Sequence, residues 1–339
     1  MEPLTTDPMN PADALEGVLL VVGVWRSGTS LLYALLNQHP QISLMYEGEL
    51  PLLWPLFQWR RAKRWPERWN LWNQALSRHG LDPATFPPDI RNLATACDTA
   101  YRAVAKPKSA RFRGEKFPSY HDRLPSLARL FPQARFVLIW RSPLGICDST
   151  ARAARTSAWN RRLGALHRVL LGCEQMLLGA RQLQAMGVQM HQLKYSDLTS
   201  DAERELRKIC AFLEIPYEPA MAELGAADRS AIYTSEHHKL VHSDRVRPER
   251  STSEALDPKF QRKIERYLVR WRRIYGDEWL ADSAGGGMQG KEPSRLELFL
   301  DRMFYGALRA YDFAVIVAFC FAPIRLWQRY RAFKVARLG

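Results

Sequence analysis

The stretch GVWRSGTS, residues 23–30, decides how this chain reads. It follows the apolar run VLLVV and precedes LLYALLNQHP. A continuous apolar run of this kind is expected of a strand buried on both faces of a parallel sheet. Gly28, Thr29 and Ser30 then open an apolar-periodic helix that ends near His39-Pro40. Strand, glycine-rich turn and helix N-terminus together make an anion site, because backbone N–H groups point outward and the helix dipole favours negative charge. The stretch nearly spells the nucleotide phosphate loop G-x-x-x-x-G-K-[ST]. Thr29 stands where that loop has its lysine, and Arg26 sits three residues earlier.

The rest of the chain alternates in the same way. RFRGEK (111–116), ARFVLIW (134–140) and VQMHQLKY (188–195) read as further strands. Helices are expected near 89–105, over 119–130, from Ser142-Pro143 through the 150s, over 160–186, over 201–215 and over 259–276. Strands alternating with helices predict an α/β fold with a central parallel sheet flanked by helices. Residues 1–16 read as a flexible lead-in, 17–282 as one domain and 283–293 (SAGGGMQGKEP) as a linker. Residues 294–339 read as a separate hydrophobic and basic helical extension.

Bulk properties narrow the partners. The 339-residue chain carries a net charge of +14, which suits an anionic ligand or surface. Its five cysteines are odd in number and form no C-x-x-C pair, so a reduced compartment is expected. The N-terminus is polar and acidic, without the pattern of a secretory signal. The expected location is cytoplasmic.

The missing lysine is informative. A kinase or ATPase neutralises a triphosphate with that lysine and with Mg²⁺ held by a strand-end aspartate. Here the strand FVLIW ends in Arg141, which repels a metal and attracts a second phosphate. Metal-free binding of a less charged, pyrophosphate-like group fits better. His237, His238 and His242 lack an H-E-x-x-H frame and read as solvated histidines, so no metal site is expected.

GVWRSGTSLLYALLNQHPQI resembles the 5′-phosphosulfate loop of the sulfotransferases, P-R-S-G-T-T followed by L-x-x-L-L-x-x-H-P. ARFVLIWRSPLGICDS resembles their 3′-phosphate motif, with Ser149 eight residues after Arg141. GEKFPSY resembles their K-x-P segment, and LKYSDLTSDAERELRKICAFLEI their Y-E-D-L…F-L-G-I block. The four matches fall in the family's order over roughly residues 18–275 and are similar to the tyrosylprotein-type and bacterial sulfotransferase domains. The resemblance implies the P-loop-like sulfotransferase fold and a donor, 3′-phosphoadenosine 5′-phosphosulfate (PAPS). It also implies sulfuryl transfer to a hydroxyl or amine.

By the resemblance, Arg26, Ser27, Gly28, Thr29 and Ser30 hold the 5′-phosphosulfate, Arg141 and Ser149 the 3′-phosphate, and Tyr195 lies near the adenine. Glu47, 21 residues after Arg26, takes the place of the catalytic glutamate. Lys116 approaches the transferring group. Glu49 and His121 are the alternative bases. The chain departs from the family pattern at Trp25, where proline is usual, and at Ser142, where R-D-P has aspartate. Residues 243–256 match the family's late donor-binding loop only loosely, through Ser243, Arg247, Arg250 and Ser251.

The acceptor side is less legible. Trp65, Trp69 and Trp72 share a helical face that suits the core, an acceptor pocket or a membrane interface. No nucleic-acid-binding module is present. The tail FAVIVAFCFAPI (313–324) is uncharged but covers only about 18 Å as a helix, short of the roughly 30 Å hydrocarbon core. Peripheral membrane attachment through 296–339 is the expectation, and the acceptor is a lipid, a glycan or another hydroxyl compound. The rival functions are a metal-dependent kinase with a degenerate loop and a non-catalytic membrane adaptor.

Overall fold

A computed structural model describes residues 15–59, 64–156, 161, 163–234, 241–248, 254–280 and 291–329. Five parallel strands form one sheet in the order β2-β3-β1-β4-β5. They are β1 (Val18–Val22), β2 (Ile42–Tyr46), β3 (Phe112–Lys116), β4 (Arg135–Trp140) and β5 (Met190–Lys194). Early helices are α1 (Thr29–Leu36), α2 (Trp54–Gln58), α3 (Trp65–Asn73), α4 (Ala75–Arg78) and α5 (Leu93–Val104). Next come α6 (Leu124–Leu130), α7 (Pro143–Ala153), α8 (Ala165–Ala185), α9 (Tyr195–Ser200) and α10 (Ala202–Leu213). α11 (Pro258–Tyr275) and α12 (Arg295–Phe321) complete them.

The alternation of side chains along β1 divides the core. Val18, Leu20 and Val22 pack with α3, α5, α6, α8 and α11 on one face, and Leu19 and Val21 with α1 and α10 on the other. All five β1 residues are fully or nearly fully buried, which is why the strand carries no polar position. The chain leaves β1 toward the β2 edge and leaves β4 toward the β5 edge. The two strands are neighbours, so the loops after them flank a topological switch point, where open α/β sheets bind ligands.

Several expectations need correction. Ile42–Tyr46, not among the expected strands, is an edge strand paired with β3. Residues 118–122 form a single tight 3₁₀ turn, and α6 begins only at Leu124. For Trp65 and Trp69 the structure selects the core among the three readings left open. Both are completely buried, stacked at 6.0 Å, with Phe86 edge-on to Trp65. The tail helix is not a 12-residue piece but the 27-residue α12, opened by a capping box of Ser294 and Glu297. Residues 1–14, 281–290, His237, His238, Arg250 and Ser251 lie outside the described residues.

Candidate functional site

The candidate side chains gather at the C-terminal ends of the strands, with Ser149 on α7. Tyr46 and Val21 flank Lys116 in register, so β1, β2 and β3 end side by side. The β1 loop is tight. Gly23 admits no side chain, since a Cβ there would lie 2.3 Å from Ser27 Oγ and 2.8 Å from the Ile139 carbonyl. Gly28 has φ +97°, and a Cβ on it would lie 2.2 Å from the Tyr195 ring. The glycine thus lets Tyr195, at the end of β5, close on the loop. Arg26 itself sits in the left-handed region at φ 71°, a conformation that costs energy in a non-glycine residue.

Two clusters meet on this loop. In the first, Arg26 Nε donates to Ser149 Oγ at 3.2 Å, and Arg141 Nη1 donates to the Arg26 carbonyl at 2.7 Å. Arg141 also lies over the Tyr195 ring at 4.7 Å. Burial, and then repulsion from Arg141, pulls the Arg26 guanidinium down to about 10. Ser27 is buried, and its hydroxyl has no hydrogen-bond partner among the described residues. A buried hydroxyl without a partner in a native fold calls for an explanation.

In the second cluster, the fully buried Lys116 donates to Glu47 Oε1 at 2.7 Å and to Ser30 Oγ at 3.2 Å. Its ammonium lies 3.6 Å from the Tyr46 ring centroid, and Ser30 Oγ is 3.0 Å from the Tyr46 hydroxyl. Burial lowers the Lys116 pKa and Glu47 opposes it, with Arg78 and Arg26 adding repulsion. The Glu47 side chain is 17% exposed, so it can be reached from outside.

The candidate acid–base residue is held by its backbone. Glu47 and Glu49 both have positive φ, 49° and 61°. Glu47 N donates to the Lys116 carbonyl, while Asn73 Nδ2 and Arg78 Nη2 donate to the Glu47 carbonyl. Trp69 Nε1 donates to the Gly48 carbonyl, and Trp72 Nε1 to Glu49 Oε2 at 2.8 Å. Beneath them Glu115, fully buried, accepts hydrogen bonds from the Tyr101 and Tyr120 hydroxyls and from Glu49 N at 2.6–3.0 Å. Burial raises the Glu115 pKa despite these bonds.

A model described as the sulfotransferase family matches residues 19–219. The chain belongs to the sulfotransferase family. Among curated relatives it is 26% identical over 223 residues to an uncharacterized protein of Aquifex aeolicus, covering 60% of this chain and 26% of that one. It is 24% identical over 242 residues to a putative protein-tyrosine sulfotransferase of Caenorhabditis briggsae, covering 68% of this chain and 72% of that one. The chain therefore spans about a quarter of the length of the Aquifex protein. A solved sulfotransferase domain from the curacin biosynthetic pathway superposes with a TM-score of 0.49 at 18% identity, over 75% of this chain and 98% of that one.

Within this family member the sequence-derived candidates fall together. Arg26, Ser27, Gly28, Arg141, Ser149 and Tyr195 share one cluster, and Ser30, Glu47 and Lys116 the other. Thr29, buried, starts α1. His121 joins neither hydrogen-bond cluster, although its ring meets Trp25 of the β1 loop edge-on at 5.3 Å. Its Nδ1 is 2.8 Å from the Pro118 carbonyl, and its Nε2 lies against Gly172 of α8. Burial pushes its pKa down to about 4. Glu49 is spent on Trp72, and burial raises it to about 7. Ser243 bonds the Arg245 carbonyl and joins neither cluster through that bond.

Tyr46, Glu115, Asn73 and Arg78 were missed in the sequence. Of these only Glu115 carries a signal in the sequence, as the residue before Lys116 on the opposite face of β3.

Proposed function

We propose that this sulfotransferase family member moves a sulfuryl group from PAPS to a hydroxyl or amine of an acceptor. The observation that carries the reading is the convergence of Arg26 and Arg141, 115 residues apart, on one loop with an unmatched buried hydroxyl at Ser27. A ligand with two separate phosphate positions suits this pair, because each strand end offers its own guanidinium. The residues fit the donor. Arg26, Ser27, Gly28, Thr29 and Ser30 would hold the 5′-phosphosulfate, Arg141 and Ser149 the 3′-phosphate, and Tyr195 would lie beside the adenine.

The donor supplies a sulfuryl group already activated on phosphate. Glu47 then receives the acceptor's proton as the new S–O bond forms, on the carboxylate oxygen that Lys116 does not hold. Lys116 and Arg26 stabilise the negative charge that gathers on the departing phosphate. Lys116 suits this task because burial leaves its ammonium poorly solvated and Glu47 its one close carboxylate among the described residues. A kinase reading is less favoured, since Arg141 occupies the strand end where such an enzyme keeps an acidic metal ligand. An acceptor hydroxyl on a lipid or glycan at a membrane surface suits the basic, apolar C-terminal segment.

Calorimetry with adenosine 3′,5′-bisphosphate tests the donor site. The expected result is binding unaffected by EDTA and tighter than that of ADP, which lacks the 3′-phosphate. Equal affinity for the two nucleotides, or a requirement for Mg²⁺, would refute the reading.

A further inference from the structure

α12 is amphipathic the wrong way round for a helix that simply caps a domain. Its polar groups face inward. All three of its carboxylates meet partners on the domain: Glu297 with Arg266, Asp301 with Lys263 and the Tyr267 hydroxyl, and Asp312 with Arg168. Two of its three arginines also turn inward, Arg302 to Glu174 at 3.1 Å and Arg309 to Asp122. Near its C-terminal end Arg68 donates to the carbonyls of Phe319, Cys320 and Ala322.

The outward face is mostly apolar, with Arg302 exposed beside Met303 at its edge. Leu296, Phe299, Leu300, Met303 and Tyr311 are each more than half exposed, and Phe321 is exposed beyond them. Between them Gly306, Ala310, Ala314 and Ala318 continue the stripe at helical spacing. Exposed Trp59 packs on Phe321 at 5.1 Å, placing an indole at one end. Such a face, about 40 Å long, is far larger than scattered surface leucines produce.

We propose that the outer face of α12 is a docking surface for an anionic lipid bilayer, on which the helix lies in the plane of the interface while its inner face stays ion-paired to the domain. Charge decides between a bilayer and a protein partner. The stripe itself carries no carboxylate, the flanking Glu297 and Asp312 are ion-paired to Arg266 and Arg168, Arg295, Arg325 and Arg329 are exposed at its two ends, and the sequence after Pro323 has five cations and no acid. Tryptophan and arginine are the residues that suit the interface between headgroups and acyl chains. α12 is long and apolar enough to cross a membrane. Crossing would pull Asp301, Arg302, Arg309 and Asp312 away from Lys263, Glu174, Asp122 and Arg168 and into hydrocarbon, so the ion pairs hold the helix in plane. This surface does not depend on the donor chemistry proposed above.

Sedimentation of the full chain with phosphatidylcholine vesicles, with and without phosphatidylserine, tests the surface. The expected result is binding that requires phosphatidylserine, weakens with salt, and is released by alkaline carbonate. The neutral double substitution Leu300→Gln/Met303→Gln, at exposed positions, should weaken it by about tenfold or more, with the melting temperature and nucleotide binding unchanged. Arg325→Ala/Arg329→Ala should reduce the preference for phosphatidylserine. Binding untouched by the Leu300→Gln/Met303→Gln pair would mean that bulk positive charge alone is responsible, and would overturn the proposal. So would resistance to carbonate, which indicates a span. A dimer that the same pair dissolves, with no vesicle binding, would assign the face to a second copy of the chain instead.

Discussion

Arg26→Met should make the ligand-free protein more stable while weakening its hold on nucleotide. Burial and Arg141 together lower the Arg26 pKa from 12.5 to about 10. Near neutral pH the guanidinium is charged in both folded and unfolded chains, so the folded chain bears the full penalty, about 3 kcal/mol at 1.36 kcal/mol per unit. Methionine removes that penalty and keeps most of the packing volume. It also removes the bond to Ser149, which contributes about 1 kcal/mol. The bond from Arg141 survives, because it goes to the backbone carbonyl of residue 26. The net gain is about 1 to 2 kcal/mol, or a rise in Tm on the order of 2 to 4 °C for a chain of this size.

Binding should move the other way. Loss of one charged hydrogen-bonding group costs about 1.5 to 3 kcal/mol, so affinity for adenosine 3′,5′-bisphosphate should fall about 10- to 150-fold. Calorimetry and thermal melts on one preparation give both numbers. A purely structural arginine predicts the reverse, a lower Tm with unchanged affinity, and that result would refute the reasoning. A raised Tm with unchanged affinity would leave Arg26 in an anion site but remove this nucleotide as its ligand.

Lys116→Met should destabilise the fold by about 3 to 5 kcal/mol in urea titrations, because it breaks a buried ion pair, and Lys116→Met/Glu47→Gln should recover part of the loss. Strict additivity of the two substitutions would show that the pair is not coupled. Acid should unfold the protein early. His79 and His121 are both pushed down to about 4 by burial, so between pH 6.5 and 4 the unfolded chain binds more protons and stability falls as pH falls. His121→Gln should flatten that slope in thermal melts, and an unchanged slope counts against the burial argument. Glu49 works oppositely. Its raised value of about 7 means that the folded chain binds the extra proton from pH 4.5 upward, so stability falls as pH rises to 7 and stays reduced above it. Glu49→Gln should therefore add up to about 3 kcal/mol at pH 8 and nothing at pH 4, as read from paired denaturation curves.

The parts of this molecule that were legible in the sequence are those whose cause is local. β1, β3, β4 and β5 are short apolar or alternating runs bounded by turn residues, and each was read within about two residues of its ends. Arg26 and Arg141 were readable because each follows a buried strand directly. β2 was not. Ile42–Tyr46 is five residues long, has Ser43 near its middle, and follows Pro40 at the end of a helix, so nothing local separates it from a loop. Its strand character comes from pairing with β3 and from Lys106 N, which donates to Ser43 Oγ at 3.0 Å. α12 was cut short for a related reason. Arg309 and Asp312 interrupt the apolar run in the sequence, and their partners Asp122 and Arg168 lie far back in the chain.

The same distinction explains why the catalytic assignment rests on Glu47 rather than on its neighbours. Three glutamates, Glu47, Glu49 and Glu115, crowd the ends of β2 and β3, and sequence spacing alone ranks none of them decisively. Their partners separate them. Glu115 is fully buried and takes three hydrogen bonds, two from tyrosines and one from Glu49 N, so it is a brace. Glu49 is tied to Trp72, whose ring packs against Phe319 of α12 at 4.9 Å. Only Glu47 combines partial exposure with a salt bridge to a buried cation beside the phosphate-type loop. The two positive-φ residues that produce this arrangement cost energy, and the cost is met by Trp69, Asn73 and Arg78 holding the carbonyls between them. The tryptophan-rich segment thus contributes to the site through its indole and amide donors and not as a pocket wall. Glu115→Gln puts this account at risk. It retains an acceptor for the tyrosines but weakens the anchor on Glu49 N, so the strained loop should loosen. Amide exchange at residues 47–49 should quicken while adenosine 3′,5′-bisphosphate binding stays unchanged. Unaltered exchange would mean that the loop holds its shape without the brace.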